Sequence, residues 1–302
     1  MFKKFMQCAI GSAVLAAMCF MLIGCNGNGE STANPTGSPS TGTTGQITVV
    51  TREDGSGTRG AFVEIVDVTV DGNDNITMEA VVAPGTSVMM TNVAENPLAI
   101  GYASTGVALG ENRVKVISVD GVMPTVENML NGTYAIQRPF IIGYNTAEGL
   151  SEIAQDFVDF IFSAQGQAVV AGRGYVPLVP EGAPDYTPSG LTGTIVINGS
   201  SSVYPLMGHL RAAYLELNPA VRIDIHGAGT GHGITAARDG LADIAMSSRD
   251  FRESELEFIS PMTIAIDGIA VIVHPDNLTE GLTLDQVRNI FLGEIERWEN
   301  TR

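Results

Sequence analysis

The sequence predicts an α/β fold, and three observations carry that prediction. From residue 47 onward, strand-like and helix-like runs alternate along the chain. Several of the strand-like runs are short and rich in β-branched residues, the composition of buried strands. Small loops of Gly, Ser and Thr stand where a strand-like run gives way to a helix-like one. With 302 residues, 44% of them hydrophobic, the chain can bury one large core or two modest ones.

Taken in order, residues 1–25 read as a leader. Lys3 and Lys4 precede an uncharged, mostly apolar run over 6–23. The run ends in Leu22-Ile23-Gly24-Cys25, which resembles a bacterial lipobox, so cleavage would leave Cys25 as a lipidated N-terminus. An uncleaved membrane anchor is the alternative. Cys8 and Cys19 fall inside the leader, so the mature chain would carry no disulfide. Residues 26–46 contain only Asn, Gly, Glu, Ser, Thr, Ala, Pro and Gln and read as a flexible tether. Lipid, tether and folded body together place the protein at the outer face of the bacterial cytoplasmic membrane.

Within the body, residues 47–50 read as a strand, 51–60 as a loop, and a helix follows from Ala61. Residues 151–172 form the clearest helix: Ile153, Phe157, Phe160 and Ile161 share one face, and Gly172 with Gly174 supplies the stop. Residues 180–190, rich in Pro and Gly, read as a linker. Beyond it, 194–198, 223–226 and 264–273 read as buried strands, and 205–217, 234–240 and 284–291 as helices.

The strand-to-helix loops carry the chemistry. Gly55-Ser56-Gly57-Thr58-Arg59-Gly60 formally matches G-x-G-x-x-G. A dinucleotide site is disfavoured, because Asp71 and Asp74 lie in a Gly/Asn-rich turn instead of ending a second strand. Asn198-Gly199-Ser200-Ser201-Ser202-Val203 brings three consecutive hydroxyls to a helix start. Gly227-Ala228-Gly229-Thr230-Gly231-His232-Gly233 repeats that arrangement, and Met246-Ser247-Ser248-Arg249 adds a fourth patch. Each loop alone is an ordinary capped turn. As a set, rich in Ser, Thr and Gly and with Arg in two of them, they point to one oxyanion site.

The balance of 33 acidic against 16 basic residues, a net charge of −17, excludes a nucleic-acid footprint. An anion here must be held by local dipoles, and distant repulsion is screened beyond about 8 Å at physiological salt. The sequence has no G-x-S-x-G elbow, H-E-x-x-H helix or P-loop, and His209, His226, His232 and His274 are scattered. Catalysis and metal binding therefore find no support, and no cofactor is expected. Trp298 and the Met89-Met90 pair read as packing residues.

Over residues 47–298 the chain resembles the phosphate-binding lipoproteins of phosphate ABC transporters. The resemblance rests on Arg52-Glu53-Asp54-Gly55-Ser56-Gly57-Thr58-Arg59, Ala99-Ile100-Gly101-Tyr102, and Tyr134 with Arg138-Pro139-Phe140. It rests further on Ser163-Ala164-Gln165-Gly166-Gln167, Gly174-Tyr175-Val176-Pro177-Leu178, Gly199-Ser200-Ser201-Ser202-Val203, Ser247-Ser248-Arg249, Asp267-Gly268-Ile269-Ala270-Val271 and Phe291-Leu292-Gly293-Glu294-Ile295 near Trp298.

The resemblance implies a two-lobed type II periplasmic-binding-protein fold with the ligand cleft between lobes. One lobe would comprise 47–141 plus 268–302, the other 142–267 with the linker 180–190, joined by strands crossing near Ile141 and Asp267. It implies inorganic phosphate as ligand, a membrane permease as partner, and contacts from Arg52, Ser56, Gly57, Thr58, Ser201, Ser202, Thr230 and Ser248. Asp54 would hold Arg52 in place, with Arg249 in support. Ser248 stands where some members carry an acid, which alters the basis of phosphate/sulfate discrimination. The block resembling 191–298 comes first in that family, so the chain reads as a circular permutant. The alternatives are a fragment of a tandem array or halves exchanged between molecules. A phosphate sensor, a surface adhesin and a phosphatase-like enzyme are the other functional readings.

Overall fold

A computed structural model describes residues 42–178 and 182–302. The leader, the lipidation expected at Cys25, most of the tether and Pro180 lie outside the described residues. The first strand, β1 (Thr48–Arg52), runs two residues past its expected end and carries a buried arginine at its tip. Helix α1 (Gly57–Ile65) starts earlier than expected, because the Ser56 hydroxyl caps it by accepting from Arg59 N at 3.3 Å. The hairpin β2 (Thr69–Val70) and β3 (Asn73–Asp74) follows, then β4 (Val81–Ala83), α2 (Thr86–Ala94) and β5 (Ala99–Ser104). Next come α3 (Thr105–Ala108), β6 (Lys115–Val119), α4 (Val126–Leu130) and β7 (Gln137–Asn145).

The long helix expected over 151–172 is two, α5 (Glu152–Phe162) and α6 (Ala164–Ala171). Ser163 takes an extended conformation between them and caps the second, accepting from Gly166 N at 3.2 Å. Then follow β8 (Gly193–Gly199), α7 (Tyr204–Leu217), β9 (Val221–His226), α8 (Thr230–Arg238), β10 (Ile244–Ser247) and α9 (Glu253–Leu256). The chain finishes with β11 (Ile259–Val273), β12 (Gly281–Leu282), α10 (Leu284–Leu292) and a 3-10 turn at Trp298–Thr301. Strand β11 begins earlier than hydropathy indicated, since Pro261 and the half-exposed residues around it disguise its first part.

The strands join in the order β4-β1-β5-β11-β7-β10-β8-β9, with β6 branching from β11 and β12 pairing with β6. Strand β11 is the seam. Its residues 259–268 pair with β7, and 269–273 pair with β5 and β6. Two large hydrophobic cores lie to either side of that change of partner. One gathers Phe62, Tyr102, Met89, Met90, Ile272, Phe291 and Trp298. The other gathers Phe140, Phe157, Phe160, Leu206, Tyr214 and Met246. Trp298 is a packing residue as expected, and its indole N–H donates to Leu98 O at 3.0 Å. Residues 45–47 lie beside 296–298: Ile47 N donates to Glu296 O at 2.7 Å and Trp298 N to Gly45 O at 3.0 Å.

The segment 182–190 has no regular secondary structure, yet Tyr186 fastens it to the second core. Tyr186 OH and Tyr214 OH each donate to Asp156 Oδ2 at 2.6 Å. The Tyr186 ring meets Phe160 edge-on at 5.3 Å. A hydrogen bond to a charged acceptor and an aromatic pair are together worth about 2 kcal/mol. Tyr186→Ala is therefore expected to lower unfolding stability by about that amount in a urea titration, with m unchanged.

Candidate anion-binding site

Four helices, α1, α2, α7 and α8, begin at one place. Their N-termini bring partial positive charge and N–H groups together, which suits an anion. Local sequence explains the geometry. Gly85 and Gly229, at φ 107° and 105°, are the N-cap residues of α2 and α8, a conformation that glycine adopts without strain. Neither has a side chain to cap the helix, so acceptors on neighbouring loops take that role. Thr86 N, for instance, donates to Ser201 Oγ at 3.3 Å.

Among the expected residues, Arg52, Ser56, Gly57, Thr58, Ser201, Ser202, Thr230 and Ser248 gather around this point. Thr58 Oγ1 lies 2.8 Å from Ser202 Oγ and 3.5 Å from Ser248 Oγ. Ser248 N donates to Thr230 Oγ1 at 3.4 Å. Arg52 Nη2 donates to Ser201 Oγ at 3.1 Å. Gly57 makes the close approach possible: a β-carbon there would collide with Thr230 Oγ1 and stand 2.7 Å from Ser248 Oγ. Gly231 N donates to Gly55 O at 3.2 Å, joining the first loop to α8 directly. A groove of about 560 Å³ lined in part by Pro84, Val107 and Tyr204 reaches Thr86 and Ser201 from the solvent side.

Two expectations need correction. Asp54 does not hold Arg52. Its side chain is fully exposed and pairs with Arg59 at 3.2 Å. Glu53 holds Arg52 instead, accepting from Nε and Nη2, each at 2.8 Å, and also from Gly85 N at 3.1 Å. Burial pushes the Glu53 carboxyl up, but the hydrogen bonds and charge of Arg52 outweigh it and hold the group below the ordinary carboxylate range. Arg249 turns away from the cluster and makes a two-pronged pair with Glu255, both contacts at 2.8 Å.

Sequence reasoning missed Thr86 and the role of Ser200. The Thr86 hydroxyl lies 3.1 Å from Ser202 Oγ and 3.2 Å from Ser201 Oγ, and Ser200 Oγ donates to Ser248 Oγ at 2.8 Å. The Gly85-Thr86 pair at a helix start was the available signal. If the cluster binds an oxyanion, Thr86→Val lowers the affinity about tenfold, the worth of one charge-assisted hydrogen bond, in a calorimetric titration.

A tetrahedral oxyanion needs donors on every side, and this cluster supplies hydroxyls, helix N–H groups and the buried guanidinium of Arg52. Among the described residues no group of His, Cys, Asp and Glu is arranged to hold a metal ion.

This fold is that of a binding protein, and the family comparison agrees: a PBP superfamily domain matches residues 32–165 and 184–301. The chain is 40% identical to phosphate-binding protein PstS 2 of Streptococcus agalactiae, over 93% of this chain and 92% of that protein. It is 39% identical to PstS 2 of Streptococcus pneumoniae, over 85% and 88%. A crystal structure of a phosphate-binding protein of a phosphate ABC transporter from S. pneumoniae superposes with a TM-score of 0.67 at 38% identity, covering 85% of this chain and all of that one. The chain belongs to the PstS group of the PBP superfamily.

Proposed function

We propose that the chain binds inorganic phosphate in the cleft and delivers it, tethered through a lipidated Cys25 at the outer membrane face, to an ABC permease. The observation that carries this reading is the convergence of Arg52, Thr58, Ser201, Ser202, Thr230 and Ser248 at the starts of four helices. The lobes would be 47–141 plus 268–302 and 142–267, closing on the ligand between them. The ligand's oxygens would accept from hydroxyls that now hydrogen-bond one another across the cleft. Turnover is not part of the reading, as the relatives are named as binding proteins.

The order of the two blocks fits a circular permutation. Residues 45–47 and 296–298 are hydrogen-bonded neighbours, so a chain joined there would need little rearrangement. The family match falls in two blocks, 32–165 and 184–301, and the second begins inside the 180–190 segment that would be the new junction.

Ligand binding stabilises the folded state by mass action, by about 2.7 kcal/mol at a hundredfold excess over Kd. Phosphate should therefore raise the melting temperature in proportion to the logarithm of its concentration. Equal melting curves with and without millimolar phosphate would remove the reading.

A further inference from the structure

The phosphate reading leaves one buried ion pair unused. Arg138 on β7 and Asp267 on β11 are direct cross-strand partners, and Arg138 Nη2 lies 3.2 Å from Asp267 Oδ2. Both side chains are almost completely buried, at 1% and 0% exposure. They sit at the seam, because the next residue pair, Gly268 and Gln137, is the last between these strands before β11 turns to β5 at Ile269. The other end of the guanidinium reaches the anion site: Arg138 Nη1 donates to Ser248 O at 3.0 Å. Ser248 is the residue on which Thr58, Ser200 and Thr230 converge. On the far side Ser104 Oγ donates to Asp267 Oδ1 at 2.9 Å. A continuous chain of contacts thus runs from Ser248 to the end of β5.

We propose that Arg138, neutralised by Asp267, is a positioning residue for the anion site: it fixes Ser248 through its carbonyl, and Asp267 limits how much of its charge the bound anion feels. This rests on the phosphate reading and adds to it a residue pair and a charge coupling. The groups facing the pair are few. Tyr134 and Tyr175 face Asp267, while Arg52 and Tyr102 face Arg138. Burial raises all three tyrosines, so none titrates between pH 5 and 8. Burial also pushes Asp267 up to about 6, against the pull of Arg138 and Ser104. An anion near Ser248 favours the state in which Arg138 is not neutralised, the one with Asp267 protonated. Binding to the native chain therefore gains strength, relative to a chain with Asn at 267, as pH falls through about 6.

The test is phosphate titration of the full chain in detergent, with Asp267→Asn and the double variant Arg138→Met/Asp267→Asn. Asp267→Asn is expected to bind about fivefold more tightly than the native chain at pH 8 and equally at pH 5. Taking the ratio cancels phosphate's own titration. The same variant is expected to melt lower without phosphate, since it leaves Arg138 buried and unpaired. The double variant removes both charges, and its affinity is expected to fall about tenfold or more because Ser248 loses its anchor. A folded double variant with native affinity, or an Asp267→Asn ratio that does not change with pH, would overturn the proposal. If the double variant does not fold, the pH ratio decides alone. A native chain that releases no heat with phosphate would instead count against the phosphate reading itself.

Discussion

Replacing Arg52 by alanine is expected to weaken phosphate binding about 100- to 1,000-fold. The change removes the guanidinium that donates to the Ser201 hydroxyl, and charge-assisted hydrogen bonds are worth about 1.5–3 kcal/mol each. It also strands Glu53, whose carboxylate is now matched by Arg52 at 2.8 Å and would otherwise face the incoming anion. A control separates the neighbouring acids. Asp54→Asn should leave the affinity unchanged, because Asp54 touches Arg59 at the surface. The pair has a pH signature as well. Arg52 holds Glu53 below its ordinary value of 4.5, so the stability it confers is present above that value and is lost as pH falls below it. Acid unfolding of the Arg52→Ala chain should lack that component. Unchanged affinity in Arg52→Ala, measured by calorimetry, would contradict the site as described.

Gly57→Ala is expected to abolish measurable binding while changing the melting temperature little. Alanine is the better helix former, and Gly57 is the first residue of α1, so the local helix tolerates the methyl group. The obstacle is across the cleft. The added carbon would collide with Thr230 Oγ1 and stand 2.7 Å from Ser248 Oγ, so the two walls cannot meet. If 47–141 plus 268–302 and 142–267 move as lobes, the strain is relieved by staying open, which explains an intact fold with no ligand affinity. Small-angle scattering should show no compaction of this variant with phosphate. A variant that binds normally would mean that the walls need not approach as closely as they do here.

Which features the sequence revealed follows from how local their causes are. The hydroxyl and glycine spacing of Ser56-Gly57-Thr58 and Ser200-Ser201-Ser202 is a property of consecutive residues, and both loops were legible. So was the α/β class, since β-branched strands such as β8 and amphipathic helices such as α5 signal themselves over short windows. The break at Ser163 was hidden because the apolar pattern continues through it, while one hydroxyl cap decides the backbone. Glu53 and Asp54 are adjacent carboxylates, and only the true end of β1 at Arg52 settles which one faces the guanidinium. The Arg138–Asp267 pair spans more than a hundred residues of sequence and depends on strand register alone. Thr86 is similar: Gly85-Thr86 looks like any helix start until the fold brings Ser201 and Ser202 to it.

The most direct measurement is a calorimetric titration of the native chain with phosphate, repeated with sulfate. Binding of one phosphate per chain with a Kd of micromolar or lower is the predicted result, about 8 kcal/mol of net interaction. Absence of heat at millimolar phosphate, or a stoichiometry other than one per chain, would contradict a single cleft built from both walls.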